Sequence, residues 1–383
     1  MESNECFRQK IDYDNCLTNL ACSIEKYFDI VPKHKTIPDI DKLLKEKQPE
    51  NVILLLCDGL GSRIMDQVLK KDDYLMKMRD REIFSVFPPT TAACLNSIKT
   101  GLNPSEHGWI GWTSYVKPIN KIITLYKDTE KGKKDKDKDF LEIKDQYYKT
   151  KPITDLIKEG GKYQAYESTC YPYNVERKID NVFNKVLEII KTKEGKKYIF
   201  AYYPEPDDIL HRHGVTSEDA IKEIEHINKK VEEYSKKILE TKNTIMFITA
   251  DHGHLIIPNK VKLEKQEFAK YLKIPKVFIE CRNPGFLVKE DKKEDFKNSF
   301  LKDFHNDFYL LSKEEVLNNK VFGDYEEGNK HPLLDSSFGD FMAFSKDNSK
   351  IAIIGEGDSF RNTSFHGGYS DDEIYVPLII ISN

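Results

Sequence analysis

Short apolar runs alternate with amphipathic segments over most of the chain. Unbroken apolar runs of strand length occur at residues 51–57, 198–203, 244–249 and 376–381. Segments with apolar positions at helical spacing occur at residues 12–29, 39–47, 152–159, 177–193 and 217–238. Uniformly apolar strands belong to sheets that are covered on both faces. The repeated strand–helix units therefore predict an α/β fold, with a mostly parallel central sheet and helices on both faces.

The pattern becomes less regular between residues 255 and 345. Shorter apolar segments there predict a small α/β insertion within a single domain that spans residues 1–383. Residues 341–345 and 351–354 are predicted to return to the main sheet as strands. The segment 128–139 consists mostly of lysine and aspartate, so we expect a charged, flexible loop with no function of its own.

Composition and charge narrow the class of protein. Among 383 residues, 60 Lys and Arg stand against 64 Asp and Glu, and this near balance argues against stable nucleic-acid binding. No apolar run reaches about 18 residues, so no membrane-spanning helix is expected. Residues 1–5 are polar and do not resemble a signal peptide. Seven scattered cysteines without a CxxC pair favour a reducing compartment, and we expect a cytoplasmic protein without membrane association.

One predicted turn carries a candidate nucleophile. The strand-like run 82–87 leads into a Pro-Pro turn, and residues 92–99 have helical composition. A hydroxyl at the start of such a helix meets unpaired backbone N–H groups and the positive end of the helix dipole. That position suits attack on a phosphoryl group. Thr90 and Thr91 both stand there, and the alternative is that either one only caps the helix.

Acidic and histidine residues follow the predicted strands in four further segments. They are Asp58, Asp207, His211, Asp251, His252 and His366. A parallel sheet collects its strand ends on one edge, so these side chains are expected to converge with Thr91. Three carboxylates and three imidazoles suit two divalent metal ions, zinc most naturally, about 4 Å apart on one phosphate ester. Taken singly, each residue is more often structural than functional.

As a set, the motifs resemble the nucleotide pyrophosphatase/phosphodiesterase family of the alkaline phosphatase superfamily, and its soluble bacterial members most. The resemblance covers roughly residues 50–383 and implies an alkaline-phosphatase-like fold. It rests on Asp58-Gly59, Phe87-Pro88-x-x-Thr91 through Thr100-Gly101, Glu205-Pro206-Asp207-x-x-x-His211, Asp251-His252-Gly253 and His366-Gly367.

Residue by residue, the resemblance implies two metal sites. One metal would be held by Asp207, His211 and His366. The other would be held by Asp58, Asp251 and His252, with Thr91 bridging to the substrate phosphate. The metals would be Zn²⁺, with Mn²⁺ as the alternative. Thr91, rather than Thr90, is implied as nucleophile because its spacing to Thr100-Gly101 matches the family.

The function implied is that of a two-metal phosphodiesterase or nucleotide pyrophosphatase, acting through a phospho-threonine intermediate on a small, nucleotide-type phosphoester. The sequence departs from the family at one point. An asparagine donor to a phosphoryl oxygen is often found beyond the nucleophile, whereas Cys94, a weak donor, stands three residues after Thr91. Asn96 lies on another face of the helix. His213 and His254 are expected to support the ligands or to be structural.

Both tryptophans, Trp109 and Trp112, follow the candidate nucleophile closely in sequence. We expect at least one of them near the substrate side of the sheet, and packing on the core is the alternative.

Three other functions remain as alternatives. A phosphomonoesterase or phosphonoacetate-type hydrolase on the same scaffold would need a further cation near the nucleophile, and Lys99, Arg63 and Arg212 are not clearly placed for it. A phosphosugar mutase would need a larger cap than residues 255–345 offer. A non-catalytic binding protein would not need to keep all seven site residues.

Overall fold

The computed structural model describes residues 7–170, 178–241, 243–326, 328–347 and 349–383. In chain order, its strands are β1 Asn51–Cys57, β2 Arg79–Phe84, β3 Thr113–Val116, β4 Lys121–Thr124, β5 Thr129–Glu130, β6 Gln164–Thr169, β7 Lys197–Tyr203, β8 Thr244–Thr249, β9 Leu255–Ile256, β10 Asn259–Lys262, β11 Phe278–Ile279, β12 Pro284–Phe286, β13 Phe308–Ser312, β14 Phe341–Ser345, β15 Ile351–Ile354, β16 Ser364–Phe365 and β17 Tyr375–Ser382.

The helices flank and connect these strands. They are α1 Leu17–Tyr27, α2 Pro38–Lys47, α3 Ser62–Val68, α4 Tyr74–Met78, α5 Thr91–Thr100, α6 Pro104–His107, α7 Lys138–Tyr147, α8 Ile153–Glu159, α9 Ile179–Thr192, α10 Asp207–His213, α11 Glu218–Leu239, α12 Lys293–Phe304, α13 Lys313–Asn318, α14 Leu334–Ser337 and α15 Asp371–Ile374.

The main sheet has six strands in the order β2-β17-β8-β1-β7-β6. Strands β8, β1, β7 and β6 pair in parallel, whereas β17 runs antiparallel to both of its neighbours. Every residue of β1, β7 and β8 is buried, because helices cover the sheet. The mostly parallel central sheet predicted from the apolar runs is therefore confirmed.

The helices agree with the predicted segments, with shifted ends. The segment 12–29 forms a helix only over α1. Ser217 caps α11, since its hydroxyl accepts a hydrogen bond from the Ala220 N–H. The predicted helix at residues 177–193 appears as α9, and residue 177 lies outside the described residues.

A second, seven-stranded sheet is antiparallel throughout, in the order β13-β14-β12-β11-β3-β4-β5. The prediction that residues 341–345 and 351–354 return to the main sheet is wrong: β14 lies within this second sheet, and β15 pairs with β10. The strands predicted as an insertion share their sheet with residues 113–130. Buried phenylalanines from α12 and its neighbours give the region a core of its own, so it does not need the main sheet.

The charged stretch at residues 128–139 is more ordered than the prediction of a solvated loop. Its first residues form β5, which pairs with β4. Lys131 is buried, donates to the Val277 carbonyl at 2.8 Å and pairs with Asp358 at 2.7 Å. Asp128 is also buried and is paired with Lys144 at 2.5 Å. Because charged residues are usually exposed, the composition of this segment did not indicate that some of them form buried ion pairs.

Within the described residues, no helix combines the length and the apolar character that crossing a membrane requires.

Candidate metal centre at the edge of the main sheet

Three carboxylates meet where three neighbouring strands end. Asp58 follows β1, Asp251 follows β8, and Asp207 begins α10 just beyond β7. The Asp207 N–H donates to the Asp58 carbonyl at 3.1 Å, and the Asp58 N–H donates to the Tyr203 carbonyl at 2.9 Å. Because β8, β1 and β7 are adjacent and parallel, their carboxyl ends bring the three aspartates together.

The buried charges need compensation. Burial, together with Asp251 and Asp207, raises the pKa of Asp58 well above its usual range. Burial would also raise the pKa of Asp207, but the nearby imidazoles of His211 and His254 hold it well below. Asp251 Oδ2 is buried and accepts no hydrogen bond from the described residues. An oxygen left in this way suits a cation ligand.

Three histidines turn Nε2 toward these carboxylates and Nδ1 toward the backbone. The Nδ1 atoms of His211, His252 and His366 lie 2.9–3.2 Å from the backbone carbonyls of Ser364, Gly253 and Pro89, respectively. A carbonyl oxygen only accepts, so Nδ1 is the donor in each of these contacts, and Nε2 is the ring nitrogen that faces the carboxylates. The Nε2 atoms lie 3.4–3.8 Å from Asp207 or Asp251 oxygens. This is how proteins orient imidazoles toward a metal ion.

Two groups of ligand atoms result, each with all atoms within 4.8 Å of one another. One comprises Asp58, Asp251 and His252, as the resemblance implied. The other comprises Asp207, His252, His254 and His366. His211 is outside that second group, although its Nε2 lies 3.6 Å from Asp207 Oδ1.

His254 lies deeper in the centre than its expected supporting role required. Its Nε2 is 2.7 Å from Asp207 Oδ1, and its Nδ1 is 3.2 Å from Ser364 Oγ. Burial lowers the pKa of His254 to about 4. His213, by contrast, is exposed and only pairs with Asp219 at 3.4 Å. The two histidines that the sequence placed together therefore differ in their surroundings.

Thr91 is the hydroxyl that faces the carboxylates. Its Oγ1 is 3.5 Å from Asp58 Oδ1 and 3.3 Å from His252 Nε2, and it is the first residue of α5. Thr90 is fully buried and stands at the N-cap, but its side chain makes no capping bond. The structure thus separates the two threonines: only Thr91 reaches the centre.

Cys94 does not take the place of a phosphoryl donor. The thiol is buried and contacts the Ser85 hydroxyl at 3.0 Å. Asn96 does not compensate, because its amide donates to the Ala92 carbonyl at 2.8 Å. A side chain that sequence reasoning missed is Tyr202, whose hydroxyl donates to Asp58 Oδ2. The sequence feature that could have indicated Tyr202 is a phenolic hydroxyl near the carboxyl end of a mostly apolar strand, where ligands bind.

Two cavities open beside Thr91. The polar cavity, of about 620 Å³, extends from His211 and His366 toward Glu280 and Asp358. The aromatic cavity, of about 700 Å³, extends from Asp58 along side chains that are mostly apolar or aromatic, namely Leu95, Trp112, Tyr126, Tyr202 and Pro204.

The two tryptophans have different surroundings. Trp112 is 37% exposed and lines both cavities, so it lies at the candidate site. Trp109 is buried and packs against Tyr126 and Tyr148. Trp112 therefore lies on the substrate side, as expected for at least one tryptophan, and Trp109 packs in the core, which was the alternative.

A buried ion pair fixes the turn that follows His366. Arg282 and Glu373 are fully buried, with Nη2 and Oε2 3.0 Å apart. Glu373 Oε1 also accepts the Gly368 N–H at 2.7 Å, and Asn283 donates to the Gly367 carbonyl at 2.7 Å. The second sheet thereby positions a histidine of the main-sheet site.

Comparison with known proteins gives a family and a fold. A family model described as type I phosphodiesterase / nucleotide pyrophosphatase matches residues 52–293. A search of curated proteins gives no match. Murine ectonucleotide pyrophosphatase/phosphodiesterase 5 has a similar structure, with a TM-score of 0.66 and 18% identity over 87% of this chain and 88% of that chain.

Two further structures are similar. An inactive threonine-to-alanine variant of the murine protein, in complex with AMP, gives a TM-score of 0.65 at 17% identity, covering 86% of this chain and 87% of that chain. The human protein gives 0.63 at 17% identity, with the same coverage. The fold is the alkaline-phosphatase-like α/β fold implied by the sequence motifs.

Proposed function

Because the chain belongs to the type I phosphodiesterase / nucleotide pyrophosphatase family, and is therefore a phosphodiester hydrolase, we propose that it cleaves nucleotide-type phosphodiester or pyrophosphate bonds with two divalent metal ions and Thr91 as nucleophile. One observation carries the proposal. Three imidazoles, each contacting a backbone carbonyl through Nδ1, present Nε2 to a cluster of buried and half-buried carboxylates beside the Thr91 hydroxyl. AMP bound to the inactive murine variant supports a nucleotide-type substrate.

The donor set fits two divalent cations. Asp58, Asp251 and His252 would hold one, and Asp207, His211 and His366 would hold the other. Mixed nitrogen and oxygen donors favour zinc, with manganese as the alternative. Such cations would neutralise charge on the phosphoryl oxygens and on the attacking and leaving oxygens.

The residues of the chain account for the remaining steps. Asp58 and His252 hold the Thr91 oxygen in place for attack, and the start of α5 offers a positive dipole to the phosphoryl group. Attack forms the bond from Thr91 Oγ1 to phosphorus and breaks the bond to the leaving oxygen. Water then cleaves this phospho-threonine, which releases a phosphate monoester and restores the hydroxyl.

A comparison of esters with and without metal tests the function. We expect hydrolysis of bis(p-nitrophenyl) phosphate to exceed that of p-nitrophenyl phosphate, because the three cations that the sequence offered for the extra charge of a monoester are paired: Lys99 with Glu167, Arg63 with Glu82 and Arg212 with Asp208. Dialysis against a chelator should abolish turnover, and zinc or manganese should restore it. Elemental analysis should then give two metals per chain. A faster monoesterase reaction, or full activity in the chelated protein, would contradict the proposal.

His254 offers a separate prediction about metal binding. Replacing it with glutamine removes the contact to Asp207, so metal affinity should fall about 10–100-fold, as for other residues that orient metal ligands. Competition with a chromogenic chelator measures the affinity. His213→Gln is the matched control, since its ring is exposed and lies outside the centre. Equal affinities in the two variants would show that His254 only packs.

We further propose a reducing, cytoplasmic location. The six cysteines among the described residues form no disulfide with one another, and five of them are buried.

A further inference from the structure

The polar and aromatic cavities adjoin each other and share part of their lining. Both are lined by Thr91, Trp112, Lys127, Asp207 and Asp208. A substrate attacked by Thr91 at that point has two arms, one on each side of the phosphorus, and each arm has a cavity of its own. Volumes of about 620 and 700 Å³ are those of small-molecule sites, so both arms can be enclosed.

The aromatic cavity suits a flat, apolar arm. Trp112 and Tyr126 are 37% and 41% exposed, and their ring centroids lie 5.9 Å apart. Exposed aromatic rings beside a cavity offer stacking surface to a ligand ring. Of the two cavities, this is the one lined by Asp58, whose Oδ1 lies 3.5 Å from Thr91 Oγ1. The arm that stays on phosphorus after the attack therefore belongs here.

The polar cavity suits an arm rich in hydroxyl groups. Its wall carries the side chains of Thr113, Thr124, Thr129 and Asn362, which both donate and accept hydrogen bonds. The cavity also contains His211 and His366, which we assign to the metal on the leaving side. A ribosyl or glycosyl group, with several hydroxyls and no charge, matches this lining better than a second aromatic ring does.

Most cations of the polar cavity are already paired. Lys131 pairs with Asp358 at 2.7 Å, Lys133 with Glu130 at 2.6 Å, and Arg212 with Asp208 at 2.6 Å. Lys127 has no carboxylate within 4.0 Å in the part of the chain that the structure describes, and its Nζ lies 6.0 Å from the Trp112 ring centroid. It is the cation that remains for an anionic group of the ligand, and it stands where the two cavities join.

We propose that Lys127 determines specificity by binding the second phosphate of a pyrophosphate diester. The nucleoside on the attacked phosphorus would occupy the aromatic cavity, and a ribosyl or glycosyl group on the second phosphate would occupy the polar cavity. Thr91 gives up its hydroxyl proton toward Asp58 as Oγ1 bonds to the first phosphorus, and the anhydride P–O bond breaks with its electron pair going to the bridging oxygen of the second phosphate. The leaving group departs as a sugar phosphate monoester, and water later cleaves the phospho-threonine. This inference rests on the proposed function.

The test uses three substrates and two variants of the intact protein. Bis(p-nitrophenyl) phosphate has no second phosphate, ATP has a leaving pyrophosphate without a sugar, and ADP-glucose has both features. The variants are Lys127→Met and, as a control with the same charge change, Lys134→Met, which is exposed and lines neither cavity. Steady-state kcat and KM are measured for every pair.

For Lys127→Met we expect kcat/KM to fall about 10–100-fold for ADP-glucose and ATP, the loss expected for a charge-assisted hydrogen bond. For bis(p-nitrophenyl) phosphate it should stay within about threefold. Lys134→Met should match the wild type throughout. In the wild type, ADP-glucose should exceed ATP in kcat/KM by about tenfold, which reflects the polar cavity.

Two results would overturn the inference while leaving the proposed function intact. One is an equal loss for the simple diester and ADP-glucose in Lys127→Met, which would make the lysine a general contributor. The other is a higher kcat/KM of the wild type for ATP than for ADP-glucose, which would show that the polar cavity does not select for a sugar group. Failure of the wild type to cleave any of the three substrates would instead reject the proposed function itself.

Discussion

Thr91→Ala should lower turnover of any phosphodiester by on the order of 10³-fold or more, the scale seen when a nucleophile is removed. No hydroxyl of α5 or of its N-cap takes its place, since Thr90 is buried, Ser97 is buried against His107, and Thr100 lies at the far end of the helix. The metal ligands are untouched, so metal content and folding should not change. Single-turnover kinetics with a chromogenic diester, together with elemental analysis, measure both quantities.

Two neighbouring variants make the Thr91 prediction specific. Thr91→Ser keeps a hydroxyl at the same backbone position and should retain part of the activity. Thr90→Val preserves shape at the buried neighbour and should leave turnover near the wild-type rate. Acid quenching during turnover should trap phosphate on the peptide that contains Thr91. Phosphate mapped to Thr90, or near-normal turnover of Thr91→Ala, would reject the proposed nucleophile.

Arg282→Met should lower the free energy of unfolding by about 3–5 kcal/mol, because it leaves the buried carboxylate of Glu373 without its partner. The Gly368 and Ser370 contacts of Glu373 cannot replace a full positive charge. Since those contacts hold the turn after His366, metal affinity should also fall. Denaturant unfolding measures the first effect and chelator competition the second.

Lys236→Met is the control for removal of a charge in an exposed pair. Lys236 pairs with Glu232 on the surface of α11 at 2.8 Å, and such exposed helix pairs contribute little to stability because solvent screens them. A loss of stability in Arg282→Met no larger than in Lys236→Met would mean that the buried pair is not needed to hold the turn.

The main sheet and the aspartates of the site could be predicted from the sequence, because each strand is recognised from its own short apolar run. The apolar runs at β1, β7 and β8 identify buried parallel strands, and such strands place whatever follows them at one edge. Asp58, Asp207 and Asp251 therefore could be assigned to one edge before any coordinates. His211 and His252 converge for the same reason, since each comes shortly after one of these aspartates, whereas His366 follows β16, which pairs with β9 outside the main sheet.

The second sheet could not be predicted in the same way. Its strands are two to five residues long, and the choice of partner depends on segments far away in sequence. Thus β14 pairs with β12 and β13, although its apolar run equally suits the main sheet. Lys127 and Glu280 reach the cavities only through this sheet, so no local pattern marked them. The side of α5 on which the Cys94 side chain lies depends on the residue at which the helix begins, and composition alone does not determine that residue.

The position of β17 has a consequence for biosynthesis. This strand lies inside the main sheet, between β8, which leads to Asp251 and His252, and β2, which precedes Thr91. Residues 375–382 leave the ribosome after every other part of the centre, yet they join the nucleophile side of the sheet to the metal side. During translation β8, β1 and β7 can pair and bring the three aspartates together, but among the described residues β2 joins this sheet only through β17. The strand that precedes Thr91 is therefore attached to the metal side of the sheet only after β17 has been synthesised and has inserted.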